Sequence, residues 1–67
     1  SLYLNPFHTL LNLSERVDEI IIYDVSGRKI VEQYFVDELY LEDLNKGLYI
    51  AHIKINDSKL VRKIIKQ

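Results

Sequence analysis

The feature that most constrains this chain is a series of short apolar runs, separated by turn-forming residues, over all 67 positions. Apolar residues recur at alternate positions, and β-branched and aromatic residues are frequent, which favours strands over helices. The run from Ile20 to Val25 is almost continuously apolar, as in a central strand that is covered on at least part of both faces. From Tyr49 to Ile55 the alternation is regular, so the odd-numbered residues share one face. The pattern predicts an all-β chain.

Glycine and proline mark the sharpest predicted bends. Gly27 can take the positive φ of a hairpin turn, and the Asp24 carboxylate can accept backbone N–H bonds there as an Asx-turn. Gly47 precedes a strand in which Tyr49 resembles a tyrosine corner, whose hydroxyl bonds the backbone just upstream. Pro6 cannot donate to a strand ladder, so we expect a corner at residues 5–7.

About seven short strands, with turn signals at intervals of about 8 to 12 residues, predict a small antiparallel immunoglobulin-like β-sandwich. We expect it to form one domain over residues 1–67. A first strand is predicted at Leu2–Leu4, and residues 39–44 could alternatively form a short helix. The last strand, residues 59–66, carries lysine or arginine on both faces, which predicts either a bulge or an exposed edge.

Size and composition set limits on the fold. A chain this short buries only about 60% of the surface that its unfolded form exposes. Cysteine is absent, so packing of the 48% hydrophobic residues has to stabilise the domain. No apolar stretch approaches the roughly 18 residues of a membrane span. Methionine is also absent and the chain starts at Ser1, which leads us to interpret it as a piece cut or cloned from a longer polypeptide.

Charge is unevenly distributed. Residues 1–43 hold three basic and nine acidic side chains (-6), and residues 44–67 hold six basic and one acidic (+5), which sum to the net charge of -1. This balance lacks the basic bias of a nucleic-acid-binding domain, so no nucleic-acid partner is expected. The basic end either balances charge across packed strands or forms a docking surface for an acidic partner.

We expect no catalytic, metal or cofactor site. The serines lie in turn contexts and the two histidines are isolated, so no base is placed beside a nucleophile. Asp18, Glu19 and Asp24 lack the regular spacing of a calcium loop, and two histidines without cysteine do not make a zinc ligand set. Two glycines cannot build a phosphate loop. The tyrosines are scattered over different strands, which favours packing over an aromatic platform.

Four blocks in this order resemble the type A C-terminal sorting domain of the type IX secretion system, which is found on exported proteins of Bacteroidetes-type bacteria. The resemblance spans nearly the whole chain. Leu4 departs from it, because the family often has a proline just before the Asn-Pro pair. The blocks are Asn5-Pro6-Phe7, Ile22–Arg28, Leu44–Tyr49 and Lys63–Lys66.

The resemblance implies a non-catalytic signal that takes an N-terminal passenger through the outer-membrane translocon after export to the periplasm. A cell-surface sortase then removes it, and the passenger is secreted or held at the cell surface. We hypothesise that the exposed edge and basic last strand form the recognition surface, with Lys63 and Lys66 as charge contacts. The residues assigned to the secretion signal are Asn5, Pro6, Phe7, Tyr23, Asp24, Gly27, Gly47, Tyr49, Lys63 and Lys66.

Two other functions stay open at the level of sequence. One is an immunoglobulin-like or fibronectin-like accessory module of a surface enzyme or adhesin, including a carbohydrate-binding module, which a glycan array would detect. The other is a structural stalk that associates through its edge strands. Light scattering would show such association, although an isolated sorting domain could also form an edge-strand dimer.

Overall fold

The computed structural model describes residues 10–67, which form four antiparallel strands in one sheet. The strands are β1 (Leu10–Tyr23), β2 (Lys29–Tyr40), β3 (Gly47–Ile55) and β4 (Ser58–Lys66). Their order is β2-β1-β3-β4, so β1 and β3 are central and β2 and β4 are the edges of the described sheet. The predicted strand at residues 2–4 and the corner at residues 5–7 lie outside the described residues.

The first two strands are long and bent. A straight strand of 14 residues would be about 45 Å long, whereas residues 10–67 extend over 30 Å along their longest axis. The bend coincides with a register shift, because β1 pairs Asn12 with Glu38 and then Val17 with Val36. Four residues of β1 therefore face one residue of β2, which is the geometry of a bulge. Nearby, Phe35 has a φ of 54°, which interrupts the extended backbone of β2.

This bend explains why the described residues form fewer strands than the sequence predicts. The first part of the apolar run, Ile20–Tyr23, is the second half of β1, since the ladder with β2 resumes beyond the bulge. Likewise, β2 continues through the charged pair Asp37-Glu38 to Tyr40. The all-β antiparallel prediction is confirmed, but the seven-strand sandwich is not. The helix considered for residues 39–44 is wrong, because these residues end β2 and enter turns.

The core combines residues from all four strands. Ile20 and Ile22 are completely buried on β1 between β2 and β3, which confirms the prediction of a central strand. Val25, at the end of the same apolar run, instead lies in a turn and is 73% exposed. The buried hydrophobic residues are Leu11, Leu13, Val17, Ile20, Ile22, Leu39, Leu41, Tyr49, Ala51, Ile53 and Ile64.

The hairpin of β3 and β4 is regular. Its register runs without a shift from Gly47 opposite Lys66 to Ile55 opposite Ser58. The two-residue turn uses Asn56 at a φ of 55°, a conformation that asparagine tolerates well. An Oδ2 atom of Asp18 accepts the Asn56 N–H at 2.8 Å and ties this turn to β1. The mixed pattern of β4 therefore reflects an edge position and not a bulge.

Within residues 10–67 no helix is present, and accordingly none has the length and hydrophobicity of a membrane span.

Candidate functional site

The turn between β1 and β2 is organised by one carboxylate. Asp24 Oδ1 accepts the Ser26 N–H at 3.0 Å, the Ser26 hydroxyl at 2.6 Å and the Arg28 N–H at 3.0 Å. Gly27 has the positive φ that the turn requires, 91°. The predicted Asx-turn is confirmed. The Ser26 hydroxyl and then the Arg28 N–H stabilise the charged form and hold the pKa of Asp24 below its usual value of 3.8.

The connection from β2 to β3, residues 41–46, leads into Gly47, whose φ of 143° is one that side-chain-bearing residues rarely adopt. Two residues later the Tyr49 hydroxyl donates to the Asn45 carbonyl oxygen at 2.7 Å, while the Tyr49 side chain is buried. The backbone closes a further turn, in which the Leu44 N–H donates to the Leu41 carbonyl at 3.3 Å. The hydrogen bond expected of a tyrosine corner is confirmed. We refer to residues 41–49 as the corner.

A buried ammonium group fastens β4 to the corner. Lys66 is only 7% exposed, and its Nζ donates to the Leu41 carbonyl oxygen at 2.5 Å and the Leu44 carbonyl oxygen at 2.6 Å. Both carbonyl oxygens thereby have a hydrogen-bond donor inside the protein. The block Leu44–Tyr49 and the block Lys63–Lys66 thus form one structural unit. In the sequence, Lys63 follows Tyr49 by 14 residues.

This placement differs from the hypothesis that Lys63 and Lys66 both make charge contacts at the surface. Lys66 shares the face of Ile64, which is 1% exposed, because residues two apart in a strand point the same way. Lys63 has the opposite orientation and is exposed. Of the two lysines, only Lys63 therefore presents its charge to a partner.

The register brings several assigned residues together at one end of the sheet. Tyr23 of β1 pairs with Ile50 of β3, and Ile50 pairs with Lys63 of β4. Directly paired residues share a face, so Tyr23 and Lys63 belong to one cross-strand row on the outer face, opposite the core. The turn at residues 24–28 follows Tyr23, and Gly47 opens β3 at the same end. Asn5, Pro6 and Phe7 lie outside the described residues.

The outer face also carries an aromatic contact that sequence reasoning missed. The ring of Tyr23 meets the ring of His52 edge to face, with centroids 4.9 Å apart and planes at 71°. His52 lies two residues from Ile50 on β3, so the alternation along that strand could have placed both on the outer face. Apolar side chains continue across this face, where Leu48, Val61 and Ile65 are 41%, 56% and 47% exposed.

A second set of polar contacts lies on β2. The Lys29 ammonium is 2.7 Å from Glu32 Oε1, and the Tyr34 hydroxyl donates to Glu32 Oε2. The Lys29 contact, followed by the Tyr34 hydroxyl, lowers the pKa of Glu32. Glu32 in turn raises the pKa of both partners, first through these hydrogen bonds. All three groups lie at the surface, so they form an exposed charge network.

Metal-binding clusters are not found in the described part of the chain, where no three or more His, Asp or Glu side chains lie close enough to hold an ion. The arrangement instead joins a turn, a corner and an edge strand at one end of a sheet.

Comparison with known protein families shows which family the sequence matches. The family described as the secretion system C-terminal sorting domain matches residues 1–67. The chain belongs to this family. A sorting domain of this kind is a non-catalytic targeting signal for type IX secretion, and it implies a secreted or cell-surface protein. No individual curated protein matches the chain.

Proposed function

We propose that this sorting domain takes a passenger fused to its N-terminal side through the outer-membrane translocon of the type IX system, after export to the periplasm. A cell-surface sortase then removes the domain. The observation that carries the proposal is the family match, which extends over residues 1–67. The proposal is also supported by the gathering of three motif blocks at one end of the sheet.

The recognition surface that we propose is the outer face at this end, centred on the row of Tyr23, Ile50 and Lys63. Lys63 supplies an exposed charge, and Tyr23 supplies an aromatic ring that is half-buried. Gly47 and Tyr49 hold the shape behind it, since they form the bend and the hydrogen bond of the corner. In this arrangement Lys66 contributes through the fold and not through contact.

The test is a fusion of an export signal, a reporter protein and residues 1–67, expressed in a bacterium with a working type IX system. The same fusion is expressed in a strain that lacks the translocon. We expect the reporter at the surface or in the medium of the first strain and in the periplasm of the second. Retention in both strains, or release from both, would refute the sorting function.

Two further readouts separate the finer parts of the proposal. If a sortase acts, the reporter at the surface lacks the 8.0 kDa domain, whereas the reporter retained in the periplasm keeps it. A surface reporter with the domain still attached argues against removal. For the recognition surface, Lys63→Ala should reduce secretion, and Lys54→Ala serves as its matched control. Lys54 is an exposed lysine on β3 that pairs with Glu19, outside the row.

A further inference from the structure

We propose that the edge of β4 that pairs with no described strand accepts an extended, acidic segment of the secretion machinery as an added strand of the sheet. This inference rests on the proposed function, since it names the chemistry of the partner that the sorting domain meets. Within residues 10–67, β4 pairs with β3 on one side and with no strand on the other. Its outer edge therefore offers backbone N–H and C=O groups to a partner strand.

The two edges of the described sheet differ in their suitability for strand addition. β4 is nine residues long and keeps an unbroken register with β3 over its whole length. β2 is interrupted by the positive φ of Phe35 and by the shift opposite the bulge of β1. A regular edge presents evenly spaced backbone groups, whereas bulges and positive φ disturb that spacing. Strand addition is therefore favoured at β4.

The side chains of β4 specify the charge of the added strand. The strand contains four basic residues and no acidic residue: Lys59, Arg62, Lys63 and Lys66. Lys66 is engaged by the corner, but Lys59 and Lys63 are exposed on the outer face and form no ion pair with a described residue. They alternate there with Val61 and Ile65, which are 56% and 47% exposed.

A complementary strand carries acidic side chains opposite the lysines and apolar side chains opposite Val61 and Ile65, because cross-strand neighbours on one face interact directly. A second copy of this chain is a poor occupant. Pairing β4 with β4 brings together two strands that each carry four basic residues and no acidic residue, which is unfavourable. The β2 edge of another copy carries a net charge of -2, from three acidic residues and one lysine, but it is interrupted at Phe35.

The probe is a nine-residue peptide in which glutamate alternates with valine on one strand face and threonine fills the other. Residues 1–67, labelled with ¹⁵N, are titrated with it, and amide shifts and hydrogen exchange are recorded. We expect shifts and new amide protection concentrated in β4, weakened at high salt. Shifts confined to β2, or no binding, would overturn the proposal. If light scattering without peptide shows the mass of a dimer, a second copy of this chain occupies the edge instead. That result also overturns the proposal.

Charge exchange gives the decisive control. The double variant Lys59→Glu with Lys63→Glu should bind the glutamate peptide about tenfold more weakly. It should bind a peptide with lysine in place of glutamate better than the wild type does. If circular dichroism shows that this variant is unfolded, the double variant Lys59→Gln with Lys63→Gln provides the comparison. Equal affinities of wild type and folded variant would refute the charge assignment.

The secretion assay distinguishes failure of this inference from failure of the sorting function. A wild-type fusion that is secreted, together with a folded charge-reversed fusion that is retained, supports both. Secretion of both fusions leaves the sorting function intact and removes the β4 inference. Retention of the wild-type fusion removes the sorting function itself.

Discussion

Replacing Lys66 with methionine removes the ammonium group but keeps most of the aliphatic chain that fills its site. The Leu41 carbonyl then loses its shorter, buried hydrogen bond and keeps only the one from the Leu44 N–H. A hydrogen bond to a charged group contributes about 1.5–3 kcal/mol to stability. The Leu44 carbonyl is partly buried and regains water in part. We expect the free energy of unfolding to fall by about 2–3 kcal/mol, because dehydration of the ammonium offsets some of the gross interaction.

That loss is large for this domain. A chain of 67 residues has a total stability of about 3–10 kcal/mol, so the midpoint of thermal unfolding should fall by about 10 °C or more. Urea titration followed by circular dichroism measures the change. The matched control is Lys63→Met, which alters an exposed lysine of the same strand and should change stability by less than about 0.5 kcal/mol. Equal stabilities of the two variants would show that the buried ammonium has no stabilising role.

Three further predictions concern the corner and the first turn. Gly47→Ala should destabilise the domain by about 1–3 kcal/mol through backbone strain alone, because a Cβ there meets nothing within 4 Å; a stability equal to wild type in urea titration would contradict this. Tyr49→Phe should lower the free energy of unfolding by about 1 kcal/mol through loss of the hydrogen bond to Asn45. The same urea titration measures this, and an unchanged stability would show that the hydroxyl has no stabilising role. The pKa of Asp24 is lower in the folded state, so its stabilisation is present above its unfolded value of 3.8 and is lost as the pH falls through the folded pKa. Asp24→Asn should therefore flatten the acid part of a stability profile between about pH 2 and 6, and an unchanged slope would refute the assignment.

Local backbone chemistry made much of this fold predictable. Asp24 with Gly27, and Gly47 with Tyr49, are short-range combinations whose bond partners lie within four residues, so the sequence pattern contains the whole interaction. The central position of β1 was likewise predictable from its apolar run. Such features depend on residue types and spacing, which a sequence displays directly.

The bend of β1 and the burial of Lys66 depend on distant residues instead. Alternating side chains do not show whether a polar stretch such as residues 14–16 ends a strand or bulges out of it, because that depends on whether pairing with β2 resumes. Lys66 is buried because carbonyl oxygens 22 and 25 residues away converge on its ammonium group. The sequence does place Lys66 two residues after Ile64, which indicates the same, inward face of the strand. The charge of lysine, however, favours an exposed position.

An edge strand held by one neighbour normally frays from its ends, where the fewest hydrogen bonds must break. Both ends of β4 are restrained. Lys66 anchors one end to the corner, and the Asp18 carboxylate holds the turn that begins the other. Local opening of β4 must therefore break one of these two attachments first. Proteases that require a detached strand should accordingly cleave β4 slowly, even though it lies at the margin of the sheet that residues 10–67 form.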